Sequence, residues 1–242
     1  MIKNIPSISL IFPAWNEEKY VQKAVLKAGN ALKEITDDYE IIVVDDGSID
    51  KTGEIAEKLA KENGHIRVLY HKKNQKLGKT LRTGVSAAQK DLILYSDIDL
   101  PFDFKEVKKM IDLMEVTKAD IISAFRLNRA EKEFGRTIYS FIYNFLIRIL
   151  FWINVKDINC PAKLFKKSIF EKVELKSNGS FIDAELIIKS IRRGYKVCQM
   201  GIEYFPRIES RSRASNLGTV LGILKEMTLL YKDTMRRNQS FN

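Results

Sequence analysis

Two carboxylates, Asp97 and Asp99, directly follow a short apolar segment at residues 92–95 that is typical of a buried strand. In an extended chain, residues i and i+2 point the same way, so both side chains can face one point beyond the strand. Ligands of open α/β sheets bind at that edge. Paired carboxylates suit Mg²⁺ or Mn²⁺, which also take water and substrate phosphates as ligands. We therefore predict a metal site at Asp97 and Asp99, with an ordinary polar strand end as the alternative.

A second pair of carboxylates, Asp45 and Asp46, follows another apolar segment at residues 41–44. Carboxylates at this edge of a sheet are placed to hold the ribose or base of a nucleotide. The Asp-Gly-Ser sequence that ends at Ser48 is also ordinary turn chemistry, so a simple turn is the alternative interpretation.

Two well-known nucleotide-binding patterns are incomplete in this sequence. Gly78 and Lys79 resemble the end of a phosphate-binding loop, but the glycine required five residues earlier is replaced by Lys73. The glycine pattern of dinucleotide-binding enzymes is absent. These two observations argue against an ATPase and against a nicotinamide-dependent enzyme.

Apolar strands and amphipathic helices alternate along the first half of the chain. Strands are predicted at 8–12, 41–44, 66–70, 92–95 and 121–124. Helices are predicted at about 16–34, 78–88 and 104–115, and a further helix follows residue 52 and ends at about 63–64. Asn16 is the predicted N-cap of the first helix. The alternation predicts an α/β fold with a mostly parallel, twisted sheet and helices on both faces.

Composition limits the choice of partner and compartment. The 242 residues carry a formal net charge of +10, which favours an anionic partner, but no nucleic-acid-binding motif is present. The start of the chain does not resemble a signal peptide, so a cytoplasmic protein is expected. His65 and His71 are distant from the acids in sequence and are assigned to the surface or to loops.

Two segments in the second half could contact a membrane. Residues 137–155 are almost wholly apolar except for polar residues at every fourth position, which fits a helix lying in the membrane interface or a core helix with one wet edge. Residues 216–237 have apolar positions at helical spacing. We expect a catalytic domain at 1–215, including the interfacial helix, and an amphipathic helix at 216–242 that packs on the domain or on the membrane.

Four motifs, in this order, resemble family-2 glycosyltransferases of the GT-A fold. They are residues 13–18, residues 44–52, Asn74 with Gly78–Lys79, and Asp97-x-Asp99. Residues 120–126, 157–165, 181–186 and 203–217 resemble the polyprenyl-phosphate sugar synthases, above all the dolichyl-phosphate mannose and glucose synthases. Two places differ from those synthases. Pro101 replaces a frequent Gln, and residues 211–216 lack the usual Gly-x-Ser-Lys pattern.

The resemblance implies roles for particular residues. It implies catalytic roles for Asp99, Asp183 and Arg207. The residues implied to bind the donor are Pro13, Trp15, Asn16, Glu17, Asp45, Asp46, Gly78, Lys79, Asp97 and Arg126. The acceptor phosphate is assigned to Arg136, Arg211, Arg213 and Ser215, and the Mg²⁺ or Mn²⁺ ion to Asp97 and Asp99. Arginine suits phosphate because its planar fork matches the phosphate oxygens.

The implied activity is one-step, inverting transfer of glucose or mannose from UDP-glucose or GDP-mannose to a polyprenyl or dolichyl phosphate, at the cytoplasmic face of a membrane. A lipid phosphate is already an anion and needs no strong base. The alternative acceptor, a sugar hydroxyl, would need a carboxylate base such as Asp183 or Glu185. A non-catalytic nucleotide-sugar-binding protein is a third hypothesis. Sugar, base, lipid length and oligomeric state stay open.

Overall fold

The computed structural model describes residues 6–128, 134–205 and 222–231, and only the backbone of residues 134–141. The elements in chain order are β1 (Ile8–Ala14), α1 (Val21–Lys33), β2 (Tyr39–Asp45), α2 (Thr52–Glu62), β3 (Ile66–Tyr70), α3 (Leu77–Ala87), β4 (Leu92–Ser96), α4 (Glu106–Thr117), β5 (Ile121–Arg126), α5 (Phe134–Phe151), β6 (Ala162–Lys166), a 3-10 helix (Lys167–Glu171), α6 (Ile182–Arg192) and β7 (Val197–Ile202). Residues 222–231 are also helical and are called α7.

The strands form one seven-stranded sheet in the order β3-β2-β1-β4-β6-β5-β7. Four of the neighbouring pairs are parallel, and only β6 runs antiparallel to both of its neighbours, β4 and β5. The predicted α/β fold with a mostly parallel sheet is confirmed. The strands β6 and β7 were not predicted, and Lys163, the second residue of β6, explains the first omission, because a charged residue interrupts the apolar pattern of a buried strand.

The core lies on both faces of the sheet, as alternation along the strands requires. Ile8, Leu10 and Phe12 of β1 face one cluster, into which α1 and α4 pack, whereas Ile11 faces the other. That second cluster contains residues of α3, α5, α6 and α7, including the buried Met227. Helices therefore cover both faces.

The strand order creates a crevice beside β1. The chain leaves β1 on one side for β2 and β3 and returns on the other side at β4, which is a topological switch point. Ala14 at the end of β1 pairs with Asp45 at the end of β2, and Ile11 pairs with Tyr95 of β4. The residues that follow these three strands therefore meet at one edge of the sheet.

The first helix begins later than the sequence suggested. Asn16 has φ of 56°, in the left-handed region, and α1 begins at Val21, so the prediction that Asn16 caps this helix is wrong. The side-chain Oδ1 of Asn16 instead accepts a hydrogen bond from the backbone N–H of Ile49 (2.9 Å). The backbone N–H of Glu17 donates to Thr52 Oγ1 (2.7 Å). Contacts with the β2–α2 loop, rather than helix formation, fix residues 15–17.

One polar residue of α5, Asn144, does not lie on a wet edge of the helix. Asn144 is buried, and its Oδ1 accepts a hydrogen bond from the backbone N–H of Ile158 (3.0 Å). The buried Ile147 and Phe151 lie in the core, whereas apolar side chains on the other side of the helix are exposed. One side of α5 therefore packs in the core and the other side is exposed. Among the described residues, no helix is long and apolar enough to cross a membrane.

The packing of α3 on β1 makes a testable prediction about stability. A Cβ added at Gly84 of α3 would lie 2.5 Å from Cγ2 of Ile11, which is fully buried in β1. Overpacking of this kind costs about 1–3 kcal/mol, so Gly84→Ala should lower the free energy of unfolding measured in urea. Gly29→Ala in α1 is the control.

The added Cβ at Gly29 would meet only Ile41 Cδ1, at an ordinary 3.6 Å. Since alanine favours a helix interior by about 0.5–1 kcal/mol over glycine, this variant should be as stable as the parent protein or more so. Equal stability of the two variants would show that α3 does not lie as closely against β1 as described.

Candidate active site

The two carboxylates Asp97 and Asp99 follow the last residue of β4, at the crevice beside β1. Both are half-buried, and the hydroxyl of Tyr95 lies 3.4 Å from Oδ1 of Asp97. Burial and then the charges of Asp183, Asp97 and Asp99 raise the pKa of Tyr95 well above its usual range. Negative charge from three carboxylates therefore reaches the same buried phenol.

The donor set at this point suits a hard divalent cation. No group of three or more His, Cys, Asp or Glu side chains within the described ranges is arranged to hold a metal ion. Mg²⁺ commonly uses one or two carboxylates and completes its shell with water and substrate phosphates. The pair Asp97 and Asp99 fits that mode, whereas a structural zinc site would need four protein ligands.

Asp45 and Asp46 differ in what they contact. Asp45 ends β2, and its Oδ1 accepts the backbone N–H of Ser48 (2.9 Å). Asp46 is buried, and its two oxygens accept the backbone N–H groups of Gln75 and Lys76, each at 2.9 Å. Asp46 thus fixes the loop before α3, and Asp45 is the carboxylate that faces the neighbouring pocket.

That pocket lies beyond the ends of β2 and β3 and has a volume of about 510 Å³. It is lined by Asp45, Gly47, Ser48, Ile49, Asp50, Gly53, Glu54, Glu57, Tyr70, His71 and Lys72. Its volume is within the range of small-molecule sites. The predicted donor residues Pro13, Trp15, Asn16 and Glu17 lie at the end of β1 and in the loop that follows, which contacts residues 48–52 of the same pocket region.

The sequence did not predict the contacts of His71. It lies in a loop, but its side chain is only 7% exposed, with Nδ1 2.6 Å from Asp46 Oδ1 and Nε2 2.9 Å from Thr83 Oγ1. The imidazole therefore joins the end of β2 to α3. His65 lies exposed in a turn, as expected, and its ring stacks on Tyr39.

Gly78 and Lys79 occupy the first turn of α3. The backbone N–H of Gly78 donates to the carbonyl oxygen of Asn178 (2.8 Å), and a Cβ at Gly78 would lie 2.2 Å from the carbonyl oxygen of Ser177. Gly78 is therefore required for close packing. Lys79 is half-buried and forms no ion pair with the described residues. Its ammonium group, at the positive end of the helix dipole, suits a phosphate.

Arg126 is held by a carboxylate. Its Nε and Nη2 donate to the two oxygens of Asp157 at 2.7 and 2.9 Å, and its guanidinium lies 5.0 Å from the ring centroid of Tyr204. Burial opposes the charge, but the hydrogen bonds and charge of Asp157 raise the pKa of Arg126. A donor phosphate could accept hydrogen bonds only from those N–H groups of Arg126 that do not already donate to Asp157.

Asp183 forms a buried ion pair with Lys163. Lys163 Nζ donates to Asp183 Oδ1 (2.6 Å) and to the carbonyl oxygen of Cys160 (2.7 Å), and it lies 5.7 Å from the ring centroid of Tyr95. Lys163 has no exposed surface and Asp183 is 4% exposed. Burial raises the pKa of Asp183, and the charge of Lys163 opposes that shift. This pair thus lies against Tyr95, the residue whose hydroxyl also approaches Asp97.

The structure contradicts the alternative base, Glu185. Its carboxylate is buried and accepts the backbone N–H groups of Lys176 (2.9 Å) and Ser177 (2.7 Å), as well as the ammonium of Lys189. Both carboxylate oxygens of Glu185 therefore already accept hydrogen bonds from other residues of the protein. Of the remaining predicted residues, Arg207, Arg211, Arg213 and Ser215 lie outside the described residues, and Arg136 lies in α5 where only the backbone is described.

Comparison with known proteins gives one family match and several relatives. The family profile described as Glycosyl transferase family 2 matches residues 9–174. Glycosyltransferase AglD of Haloferax volcanii is 26% identical over 84% of this chain and 34% of its own length. Dodecaprenyl-phosphate galacturonate synthase of Rhizobium johnstonii is 28% identical over 93% of this chain and 75% of its own.

A third relative, undecaprenyl-phosphate 4-deoxy-4-formamido-L-arabinose transferase of Photorhabdus laumondii, is 28% identical over 70% of this chain and 52% of its own length. The chain thus spans about a third of AglD and about half of the arabinose transferase.

Solved structures share the fold. Glucosyl-3-phosphoglycerate synthase from Mycobacterium tuberculosis, in complex with phosphoglyceric acid, matches with a TM-score of 0.68 and 20% identity over 91% of this chain and 79% of that one. The mannosyltransferase PcManGT from Pyrobaculum calidifontis, in complex with GDP-Man and Mn²⁺, matches with a TM-score of 0.65 and 14% identity over 87% and 59%. At these identities the likeness concerns the fold alone.

The buried ion pair makes a prediction about stability. Lys163→Met would leave Asp183 buried without its counter-charge, which typically costs about 3–5 kcal/mol of unfolding free energy in urea. Because burial raises the pKa of Asp183, the folded variant binds a proton more tightly than the unfolded chain. Lowering the pH from neutral should therefore restore part of the lost stability.

Lys166→Met on the same strand is the matched control, because Lys166 is 41% exposed and pairs with Asp120 at the surface (2.9 Å). An exposed pair is worth at most about 1 kcal/mol. The double variant Lys163→Met/Asp183→Asn should recover much of the loss. Equal effects of the two lysine variants would contradict the buried pair.

Proposed function

Because the chain belongs to glycosyl transferase family 2 and has the GT-A fold, we propose that it transfers a hexose from a nucleotide sugar to a polyprenyl or dolichyl phosphate, with inversion at the sugar carbon. The observation that carries this proposal is the position of Asp97 and Asp99 at the crevice beside β1, at the same edge of the sheet as a pocket of about 510 Å³ beyond β2 and β3. We propose glucose or mannose as the sugar, from UDP-glucose or GDP-mannose.

The donor half of the site is built from the ends of β1, β2 and β4 and the start of α3. The pocket beside Asp45 has room for the nucleoside, and Lys79 offers a cation for the diphosphate. Asp97 and Asp99 would hold the Mg²⁺ or Mn²⁺ ion. When bound, such an ion neutralises the charge that develops on the diphosphate leaving group.

The acceptor is proposed to be a phosphate because the chain offers no free base among the described acids nearest the site. Asp183 is paired with the buried Lys163, and Glu185 is committed to backbone N–H groups. A phosphate oxygen is already an anion at neutral pH and attacks without losing a proton. Two of the relatives are named for dodecaprenyl phosphate and undecaprenyl phosphate, which supports the same acceptor class.

We further propose that the outer face of α5 rests on a membrane surface. Ile142, Phe145 and Ile149 recur at helical spacing and are about half exposed, and Trp152, just after the helix, is 90% exposed. A row of exposed apolar side chains on one helix face is typical of interfacial helices. The formal net charge of +10 favours an acidic lipid surface.

The transfer reaction is tested with radiolabelled donors. Purified protein is incubated with labelled UDP-glucose, GDP-mannose or UDP-galacturonate, Mn²⁺ and a polyprenyl phosphate, and label is counted in the chloroform phase. We expect Asp99→Ala to lower the rate at least about 100-fold, because metal charge stabilisation is worth several kcal/mol.

Asp103→Asn is the matched control for charge near the site. Asp103 is exposed, and its side chain accepts the backbone N–H of Lys105 (3.0 Å), a contact that asparagine preserves. This variant should keep the parent rate. Nucleotide release with a water-soluble sugar product, and no label in chloroform, would overturn the lipid-phosphate acceptor and favour a hydroxyl acceptor with Asp183 as base.

Membrane contact is tested by sedimentation with vesicles of phosphatidylcholine and phosphatidylglycerol. Burial of one large apolar side chain is worth about 1.5–3 kcal/mol, so Phe145→Ser/Trp152→Ser should weaken binding at least about tenfold. Val116→Gln on α4 is the control, because Val116 is 83% exposed but lies away from α5. Similar binding by both variants would place the membrane contact elsewhere.

A further inference from the structure

The loop at residues 176–179 lies between three helices and is called the junction loop. It precedes α6 and contacts the first turns of α3, and its last two residues contact α7. The family profile ends at residue 174, so neither this loop nor α7 belongs to the matched region. The contacts of the loop with α3 connect it to the proposed donor side of the site.

On the α3 side, the junction loop is joined to the helix start by three contacts. The carbonyl oxygen of Asn178 accepts the backbone N–H of Gly78 (2.8 Å). Arg82, one turn further along α3, donates to the carbonyl oxygen of Ser177 and to Asn178 Oδ1 (2.7 Å). A Cβ at Gly78 would overlap Ser177, so the loop lies directly against the first turn of α3.

On the opposite side, α7 holds the same loop through one carboxylate. Oε1 of Glu226 accepts the backbone N–H of Asn178 (3.0 Å) and of Gly179 (3.2 Å). Its other oxygen, Oε2, is buried and has no hydrogen-bond partner in the described part of the chain. Burying a carboxylate is costly unless hydrogen bonds compensate, so these two backbone N–H groups are what stabilises Glu226 at this position.

The remaining anchors of the loop do not depend on Glu226. Glu185 of α6 accepts the backbone N–H groups of Lys176 and Ser177, and the buried Met227 and Leu230 hold α7 against the core. Loss of the Glu226 carboxylate should therefore loosen residues 178–179, leaving Asn178 with its contacts to Gly78 and Arg82, and should leave the fold intact.

We propose that Glu226 is a positioning residue for the donor site: it fixes the junction loop, and the loop fixes the first turn of α3 that carries Gly78 and Lys79. The inference rests on the proposed function for its consequence, which is that Glu226 sets the affinity for the donor diphosphate. It adds α7 to the parts of the chain that build the donor site.

Three substitutions at Glu226 separate contact from charge. Glu226→Gln keeps an oxygen at the same reach without the charge, Glu226→Asp keeps the charge but is one methylene too short, and Glu226→Ala removes both. Lys225→Ala is the control, because Lys225 is exposed on the same helix. Binding of UDP and of GDP, each with Mn²⁺, is measured by calorimetry, together with backbone amide hydrogen exchange at Gly78, Asn178 and Gly179.

A positioning role predicts that the Asp and Ala variants bind the nucleotide diphosphate about three- to thirtyfold more weakly, with faster exchange at Gly78. The Gln variant and Lys225→Ala should stay within about twofold of the parent protein. In the transfer assay, the donor KM should rise more than kcat falls. Parent-like binding by Glu226→Asp, or equal loss in the Gln and Asp variants, would overturn the proposal.

The exchange measurement separates this inference from the proposed function. If the parent protein binds neither nucleotide, the proposed function fails, and exchange at Gly78 alone then decides whether Glu226 positions α3. Unchanged exchange at Gly78 in Glu226→Asp overturns the positioning role whether or not a nucleotide binds. Should Glu226→Ala fail to fold, the comparison of the Gln and Asp variants still decides the outcome.

Discussion

The buried ion pair between Lys163 and Asp183 is the interaction on which the second half of the structure depends. Lys163 is fully buried in β6, the one strand of the described seven that runs antiparallel to both of its neighbours, and Asp183 lies in the first turn of α6. A buried ammonium is tolerated only with a partner and hydrogen bonds, and here Asp183 and the carbonyl oxygen of Cys160 supply them. The pair therefore fixes β6 against α6, beside Tyr95 of β4.

Charges on this side of the sheet are arranged in two compensated pairs. Arg126 and Asp157 form a bidentate pair, and the charge of Asp157 contributes to the raised pKa of Asp183. The two pairs are close enough to influence each other, so β5, β6 and α6 are joined by one set of coupled charges.

The sequence was sufficient where the signal is local and insufficient where it depends on contacts between distant segments. Asp97, Asp99 and Asp45 follow apolar strands directly, so their common edge was predictable from the strand alternation. The helix-cap role of Asn16 was wrongly predicted and the contacts of His71 were not predicted, because their partners, Ile49 and Asp46, lie 33 and 25 residues away. The contact of Glu226 with Asn178 joins residues 48 positions apart, and no local sequence pattern at Glu226 predicts it. Long-range pairing of this kind follows from the folded sheet and not from periodicity.

The same ion pair bears on the choice of acceptor. A base that takes a proton from a sugar hydroxyl becomes neutral during the reaction. If Asp183 did so, Lys163 would be left as a buried charge without its counter-charge at that moment, at a cost of several kcal/mol. This cost would raise the activation barrier of the step that the enzyme must accelerate. A phosphate acceptor requires no such transfer, so Asp183 can stay ionised and keep β6 and α6 in place throughout the reaction.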